Sequence, residues 1–369
     1  MKVLFLVSAG GDAMRRSVRA AIEEAAPFHE LRMLAPDAEA KVLRDCGVPT
    51  ESWRPAGLFN VLRSIRALTH AVERHKPDVI HAFGWTAAAV ALGALPSRFA
   101  SKTLVTLQDP IRKTEMPKPF LDKRLPELLA RAGAIRCAYE TLRRVIVDTF
   151  EVPTERVAVQ PYGVATFMPL NLARGPGRRG PIVGYAGRLE GDRAWEIAVD
   201  AIATVVAEHP DAQLWLARTG PISSLVRAHA RAKGVINSVT FFEDLPLSEF
   251  FGGIDMLVVP STHDGLPYAV VEALVSGVPV IGANVGGIAD TLRSLSAFLA
   301  PDDSVGFAAG IAQVWSEIDA AWVCAQAERP TTVALFDPTQ ASRTTLELYT
   351  ELARLEPREN MVPPIEMRG

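Results

Sequence analysis

Two carboxylates stand close together in an otherwise apolar stretch, His263-Asp264-Gly-Leu-Pro-Tyr-Ala-Val-Val-Glu272-Ala-Leu-Val-Ser-Gly277-Val-Pro279. The preceding Met256-Leu-Val-Val reads as a buried strand. Pro267 suits the first turn of the helix that follows, where a missing N–H does no harm. Asp264 then falls at the carboxyl end of a strand, where open α/β sheets bind ligands, and Glu272 falls a turn or more inside the helix. A helix start presents free N–H groups and a positive dipole end, which suits phosphate. About six helical residues at ~1.5 Å rise put the two acids on the order of 10 Å apart, about the span of a diphosphate with a sugar hydroxyl at each side. Carboxylates accept hydrogen bonds from paired hydroxyls, so Asp264 fits one sugar, the amides of residues 265–268 the phosphates, and Glu272 a ribose. A simple helix cap explains Asp264 alone equally well. Glu272 does not fit that plainer account, because Val270, Val271, Ala273 and Leu274 imply a covered helix, and a covered glutamate needs a partner.

A diphosphate leaving group carries charge that a metal ion or fixed cations must neutralise. The chain has no Asp-x-Asp pair to hold a metal, and no metal site is expected. It has instead Gly184-Tyr-Ala-Gly-Arg188-Leu-Glu-Gly-Asp-Arg193, which follows one strand-like run and opens a helix-like one. Cations at a helix start oppose its dipole unless an anion joins them, so Arg188 and Arg193 fit poorly as a plain surface pair. Gly10-Gly11 follows the first strand-like run, where backbone can approach a ligand closely, although such a pair is also an ordinary turn.

Taken in order, Asp264-Gly265-Leu266-Pro267, Glu272-Ala273-Leu274, Gly277-Val278-Pro279-Val280 and Gly286-Gly287 resemble the signature of glycosyltransferase family 4. The resemblance covers about residues 2–350. It implies an α/β protein of GT-B architecture, two doubly wound Rossmann-like domains with an interdomain cleft. The implied reaction is a retaining, metal-independent transfer of a sugar from a nucleoside-diphosphate sugar to a hydroxyl acceptor. No cofactor is implied, because the nucleotide sugar is a co-substrate. By the same resemblance, Asp264, Arg188, Arg193 and Gln108 are the residues at the reaction. The donor would be held by Gly10, Gly11, Arg188, Arg193, Asp264, Gly265, Leu266, Pro267 and Glu272, while His81 and Trp85 are candidates on the acceptor side.

The chain departs from the family pattern at informative places. Aspartate 264 replaces the first glutamate of the signature, Arg193 stands where lysine is usual, and Ala194 where glycine is usual. Arginine stays charged and grips phosphate in a bidentate fork, so the diphosphate clamp that the resemblance implies for Arg188 and Arg193 survives the exchange. Gln108 stands where the family often has a histidine near the donor sugar; it takes no proton at neutral pH but hydrogen-bonds a hydroxyl. Retention in this fold is described as front-face, with the leaving phosphate helping to deprotonate the acceptor. Ala217 replaces the first glycine of the loop that continues Arg218-Thr-Gly-Pro, and that loop receives no further role. His81 follows Val79-Ile80 and reads more readily as a satisfied core residue, and His263 reads equally as a loop residue. These departures keep two rivals open: a degenerate, non-catalytic sugar-nucleotide-binding protein, and a GT-B-fold nucleotide-sugar epimerase.

The elements that must position these residues alternate along the chain. Apolar runs at 2–8, 79–83, 104–108, 134–138 and 157–160, then at 182–186, 213–217, 239–242, 256–260 and 279–282, read as strands covered on both faces. Helical periodicity marks 58–75, 194–208 and 338–354. The order predicts two domains, 1–168 binding the acceptor and 182–337 binding the donor. Residues 169–181, rich in Gly, Pro and Arg, read as the linker. The 338–354 helix is expected to pack back toward the N-terminal domain, and 355–369 to fray.

Composition bounds the partners. At 369 residues with 49% hydrophobic and 22% charged residues, the chain is long enough for two cores. Cys46, Cys137 and Cys324 are far apart and fit reduced thiols, hence a cytoplasmic protein. The first apolar run is too short for an export signal and none approaches the roughly 18 residues of a membrane span. The net charge of −3 conceals a basic excess over residues 1–180 and an acidic excess after them. With a family resemblance that often implies lipid-linked acceptors, the basic half predicts peripheral contact with an anionic membrane at its inner face. Solvated helix faces explain the same charges. Aromatics are sparse among these cations and no nucleic-acid motif is present, so nucleic acid is not expected.

Overall fold

The computed structural model describes residues 1–10, 12–53, 58–111, 118–165, 180–187, 189, 194–217, 220, 222–243, 245–261, 265–293, 295, 298–300 and 303–355. The backbone groups into two compact units, residues 1–163 with 338–369, and residues 164–337.

The first unit begins β1 (Lys2–Val7), α1 (Asp12–Ala25), β2 (Glu30–Ala35), α2 (Asp37–Val42), β3 (Thr50–Ser52) and α3 (Leu58–His75). It continues β4 (Val79–Phe83), α4 (Trp85–Ala94), α5 (Ser97–Ala100), β5 (Thr103–Leu107), α6 (Lys118–Leu129), β6 (Ala134–Cys137), α7 (Glu140–Arg144) and β7 (Val157–Val159). The second unit runs β8 (Ile182–Tyr185), α8 (Ala194–Glu208), β9 (Gln213–Leu216), α9 (Ser223–Ala232), β10 (Val239–Phe241), α10 (Leu247–Gly253) and β11 (Met256–Val259). Then come α11 (Tyr268–Ser276), β12 (Val280–Ala283), α12 (Gly286–Arg293), β13 (Phe298–Ala300), α13 (Ser304–Ser316) and α14 (Ile318–Leu335). The last helix, α15 (Pro338–Arg354), belongs to the first unit.

Among the described residues, the first sheet has the order β3-β2-β1-β4-β5-β6-β7 and the second β10-β9-β8-β11-β12-β13. Every pairing is parallel. Each order runs outward from its first strand in one direction, then resumes on its other side. That is the doubly wound pattern, with a switch point between β1 and β4 in one sheet and between β8 and β11 in the other. The apolar runs become strands because both faces are covered: β4, β5, β11 and β12 are buried at every residue.

Three strands escaped the sequence reading. β2 (Glu-Leu-Arg-Met-Leu-Ala) carries Glu30 and Arg32 at its start and so lacks a continuous apolar run. β3 and β13 are three-residue strands at sheet edges, too short for a pattern. The expected linker lies outside the described residues except for Gly180 and Pro181, as does the tail beyond 355. The α15 helix contributes Tyr349 and Leu352 to the same core as Phe5, Met33 and Val79. Gly163 passes so close to α15 that a Cβ there would overlap the Pro338 backbone. No helix among the described residues is long and apolar enough to cross a membrane.

Candidate active site

In the second unit the two chemistry-bearing segments of the sequence follow neighbouring strands. The turn after β8 carries Arg188 and Arg193, the turn after β11 carries Asp264 and Gly265, and these two strands are neighbours with Leu257 opposite Gly184. Arg188, Arg193 and Asp264 themselves lie outside the described residues, as does Gly11. Gly187, just before Arg188, packs on the Tyr185 side chain so closely that a Cβ would collide with its hydroxyl.

Gly265 and Leu266 are buried at the end of this turn. Pro267 sits one residue earlier than expected, outside the first helical turn: its φ/ψ of −63°/138° is extended, and its carbonyl accepts the Val270 N–H at 3.0 Å. The α11 helix is then buried from Val270 to Ser276, and Glu272 is 6% exposed. Gly277 ends the helix in the left-handed region at φ 68°. Gly277 N–H donates to the Leu274 carbonyl and Val278 N–H to the Ala273 carbonyl, both at 3.0 Å, which is a Schellman termination.

Side chains of α14 add to the capping of that helix end. Thr332 Oγ1 donates to the Leu274 carbonyl at 3.1 Å, Arg329 Nε to Val275 at 2.8 Å and Gln326 Nε2 to Gly277 at 3.0 Å. These three residues fix the far end of the helix that carries Glu272, and Arg329 places a cation at its negative dipole end.

In the first unit the switch point lies between the turns after β1 and β4. Ser8 Oγ accepts the Ala87 N–H at 2.8 Å and so caps α4. Gly84 needs to be glycine, with φ 88° and a would-be Cβ 2.9 Å from Met14 Cε. A Cβ at Gly10 would lie 2.7 Å from Met14 Cβ, so Met14 is wedged between the two turns. The Gly10 N–H is occupied: it donates to Oε1 of Glu39 at 3.2 Å, and Arg15 Nη2 stands 3.5 Å from the same oxygen. Glu39 is 3% exposed on α2. Trp53 closes this region by donating to the Val7 carbonyl at 2.8 Å. Sequence reasoning missed Glu39 and Trp53 because β2, which leads to them, went unrecognised; the signal was Asp37-Ala-Glu39 directly after Met33-Leu-Ala-Pro.

Gln108 follows β5 and is 4% exposed, and its buried Oε1 has no hydrogen-bond partner among the described residues. Trp85, at the start of α4, donates to the Asp109 carbonyl at 2.8 Å and meets the Phe150 ring edge-on. His81 is elsewhere. It sits in mid-strand opposite Phe5 and Leu104, fully buried, with Nδ1 at 2.6 Å from the Tyr349 hydroxyl and Nε2 at 2.7 Å from Thr106 Oγ1. Burial, aided by the Arg136 charge, pushes its pKa well below the usual histidine value, so the ring is neutral.

The three cysteines are free thiols, and burial raises that of Cys137 to about 12. Two arginines of the basic N-terminal segment are engaged with acids, Arg15 with Glu39 and Arg19 with Asp45 in a two-pronged contact at 2.9 Å.

Two parallel, doubly wound units with their ligand-proximal turns at the switch points define a GT-B architecture. The family model for "Glycosyl transferases group 1" matches residues 180–317, and that for "Glycosyl transferase 4-like domain" matches residues 12–163. The chain therefore belongs to the family 4-type glycosyltransferases. It is 30% identical over 124 residues to a 2-deoxystreptamine glucosyltransferase of Streptomyces kanamyceticus, covering 33% of this chain and 32% of that one. It is 29% identical over 244 residues to a D-inositol 3-phosphate glycosyltransferase of Acidothermus cellulolyticus, covering 58% of this chain and 54% of that one. The matches thus span about a third and about half of these relatives' lengths. In fold, the chain resembles the Anabaena protein HepE, solved with UDP and with UDP-glucose. The TM-score is 0.76 at 18% identity, over 95% of this chain and 100% of that one.

Proposed function

We propose that the protein is a retaining glycosyltransferase that moves a sugar from a nucleoside diphosphate to a hydroxyl acceptor without a metal. The observation that carries this reading is the adjacency of β8 and β11. It sets the carboxyl ends of these two strands side by side at the switch point, where nucleotides bind in such sheets, and α11 with its buried Glu272 follows one of them. The donor-bound complexes of the structurally similar HepE support the same ligand class.

In this reading Arg188 and Arg193 neutralise the leaving diphosphate, and the amides near Gly265 and Leu266 share that charge. Glu272 accepts the ribose hydroxyls and Asp264 orients the donor sugar. The bond from the sugar C1 to the phosphate oxygen breaks while a bond from C1 to the acceptor oxygen forms on the same face. The acceptor proton passes to the departing phosphate oxygen. The unpaired Gln108 Oε1 is an acceptor waiting for a donor, and a substrate hydroxyl meets that need. His81 takes no part, since both ring nitrogens are engaged within the core.

The same reading extends to the acceptor: the first unit would take a hydroxyl acceptor, a lipid-linked one among the candidates, at an anionic membrane surface. Arg63, Arg66 and Lys76 on and beside α3 are exposed, with Leu62 among them. Sedimentation with anionic vesicles, lost at high salt and absent with zwitterionic ones, is the expected result.

The test of the donor site is calorimetric titration with nucleotide sugars differing in base and sugar, repeated on Glu272→Ala. Binding of one donor class, abolished in the variant, supports the reading; unchanged affinity removes Glu272 from the site. Donor binding with no transfer to any hydroxyl acceptor and no release of free nucleotide points instead to a non-catalytic binding protein.

A further inference from the structure

A buried carboxylate is costly unless something requires it, and a leucine or methionine would fill the same volume with less desolvation. Glu39 lies in such a place, 3% exposed beneath the turn from β1 to α1. Its Oε1 takes the Gly10 N–H at 3.2 Å from the turn and faces Arg15 Nη2 at 3.5 Å from the following helix. Met14 lies between these two contacts in sequence and is itself pressed against Gly10 and Gly84. One oxygen therefore ties the turn to the first turns of α1, at the switch point of the first sheet.

We propose that Glu39 is a positioning residue: through the Gly10 amide it holds the β1–α1 turn in the conformation that the transfer reaction needs. This rests on the reading of that turn as part of the transferase site. It also changes what Gly10 can do there. With its N–H engaged by Glu39, Gly10 offers a ligand close backbone approach and no amide donor.

The reach of the side chain and its charge are separable. Glu39→Gln keeps the length and an oxygen that can accept the Gly10 N–H, and loses the charge facing Arg15. Glu39→Asp keeps the charge and withdraws the oxygen by one methylene. Positioning through Gly10 predicts that the Gln variant keeps kcat within about threefold of the parent and the Asp variant loses about tenfold or more, with donor affinity little changed in both. Exchange of the Gly10 amide with deuterium is expected to accelerate in the Asp variant alone. A charge pair serving only stability predicts the reverse order in thermal melting and equal kcat per folded molecule. Asp matching or exceeding Gln in kcat, or parental Gly10 exchange in the Asp variant, overturns the proposal. If the parent turns over no nucleotide sugar, the transferase reading fails by itself, and amide exchange still decides whether Glu39 holds the turn.

Discussion

His81 Nδ1 and the Tyr349 hydroxyl lie 2.6 Å apart, joining the middle of β4 to α15 across 268 residues of chain. Tyr349 is fully buried and its ring meets those of His81 and His29 edge-on. The pair sits in the first unit's core and seats the last helix on the first sheet.

Tyr349→Phe keeps the ring and removes the hydroxyl, leaving His81 Nδ1 buried without that partner. The expected loss is about 1–3 kcal/mol of stability, read as a lower midpoint in chemical denaturation. A variant as stable as the parent removes the pair from the list of contacts that hold α15.

His81 also gives stability a pH dependence of predictable sign. Its folded pKa is depressed from 6.5 by burial first and by Arg136 second, so the unfolded chain binds the proton more readily. The contribution is fully present above the unfolded value and declines as pH falls below about 6.5, by up to ~1.4 kcal/mol per pH unit until the folded group itself titrates. His29, also depressed by burial, acts in the same direction, and Glu24, raised by burial, in the opposite one. The parent minus His81→Phe difference in unfolding free energy between about pH 7.5 and pH 5 removes both. A difference that does not change with pH would contradict the assignment.

Arg131 is a buried cation without a carboxylate partner among the described contacts. Its guanidinium donates to the Leu92 carbonyl and, at 2.7 Å, to that of Leu95, at the end of α4, and the helix dipole supplies the opposite charge. Arg131→Met strands both carbonyls and should cost about 2–5 kcal/mol, with the melting temperature as readout. Arg131→Lys cannot span both and should fall between.

The cap that α14 builds on α11 connects stability with the proposed donor site. Thr332→Val and Arg329→Met should each cost about 1 kcal/mol, and because they serve neighbouring carbonyls their effects should not add. Each is also expected to weaken nucleotide binding, since the capped helix carries Glu272. Lost stability with unchanged nucleotide affinity would show that the helix end and the ligand end are uncoupled.

Much of this protein is legible from local pattern. Continuous apolar runs locate ten strands within a residue or so; burial on both faces demands them in the sheet interiors, while the edge strand β7 leaves Ala158 and Val159 exposed. The helices at 58–75, 194–208 and 338–354 follow from apolar spacing, and Gly277 follows from the need for a left-handed residue at a helix end. The proposed diphosphate site is likewise read from the Asp264–Glu272 spacing and the Arg188–Arg193 segment, and of these four residues the structure describes Glu272, buried on α11.

Contacts between distant segments leave no such trace. Only the folded sheet makes β8 and β11 neighbours, since nothing local says which strands pair. Its apolar flank makes His81 read more readily as core than as acceptor contact, and what holds it there is Tyr349 and Thr106, which reach it from a distant helix and the neighbouring strand. The sequence around Glu39 marks an acid after a strand, but its partner is a backbone amide 29 residues earlier, and only the fold joins the two. Residue chemistry and periodicity are written along the chain, whereas burial and partnership are properties of space, and only the folded backbone assigns them.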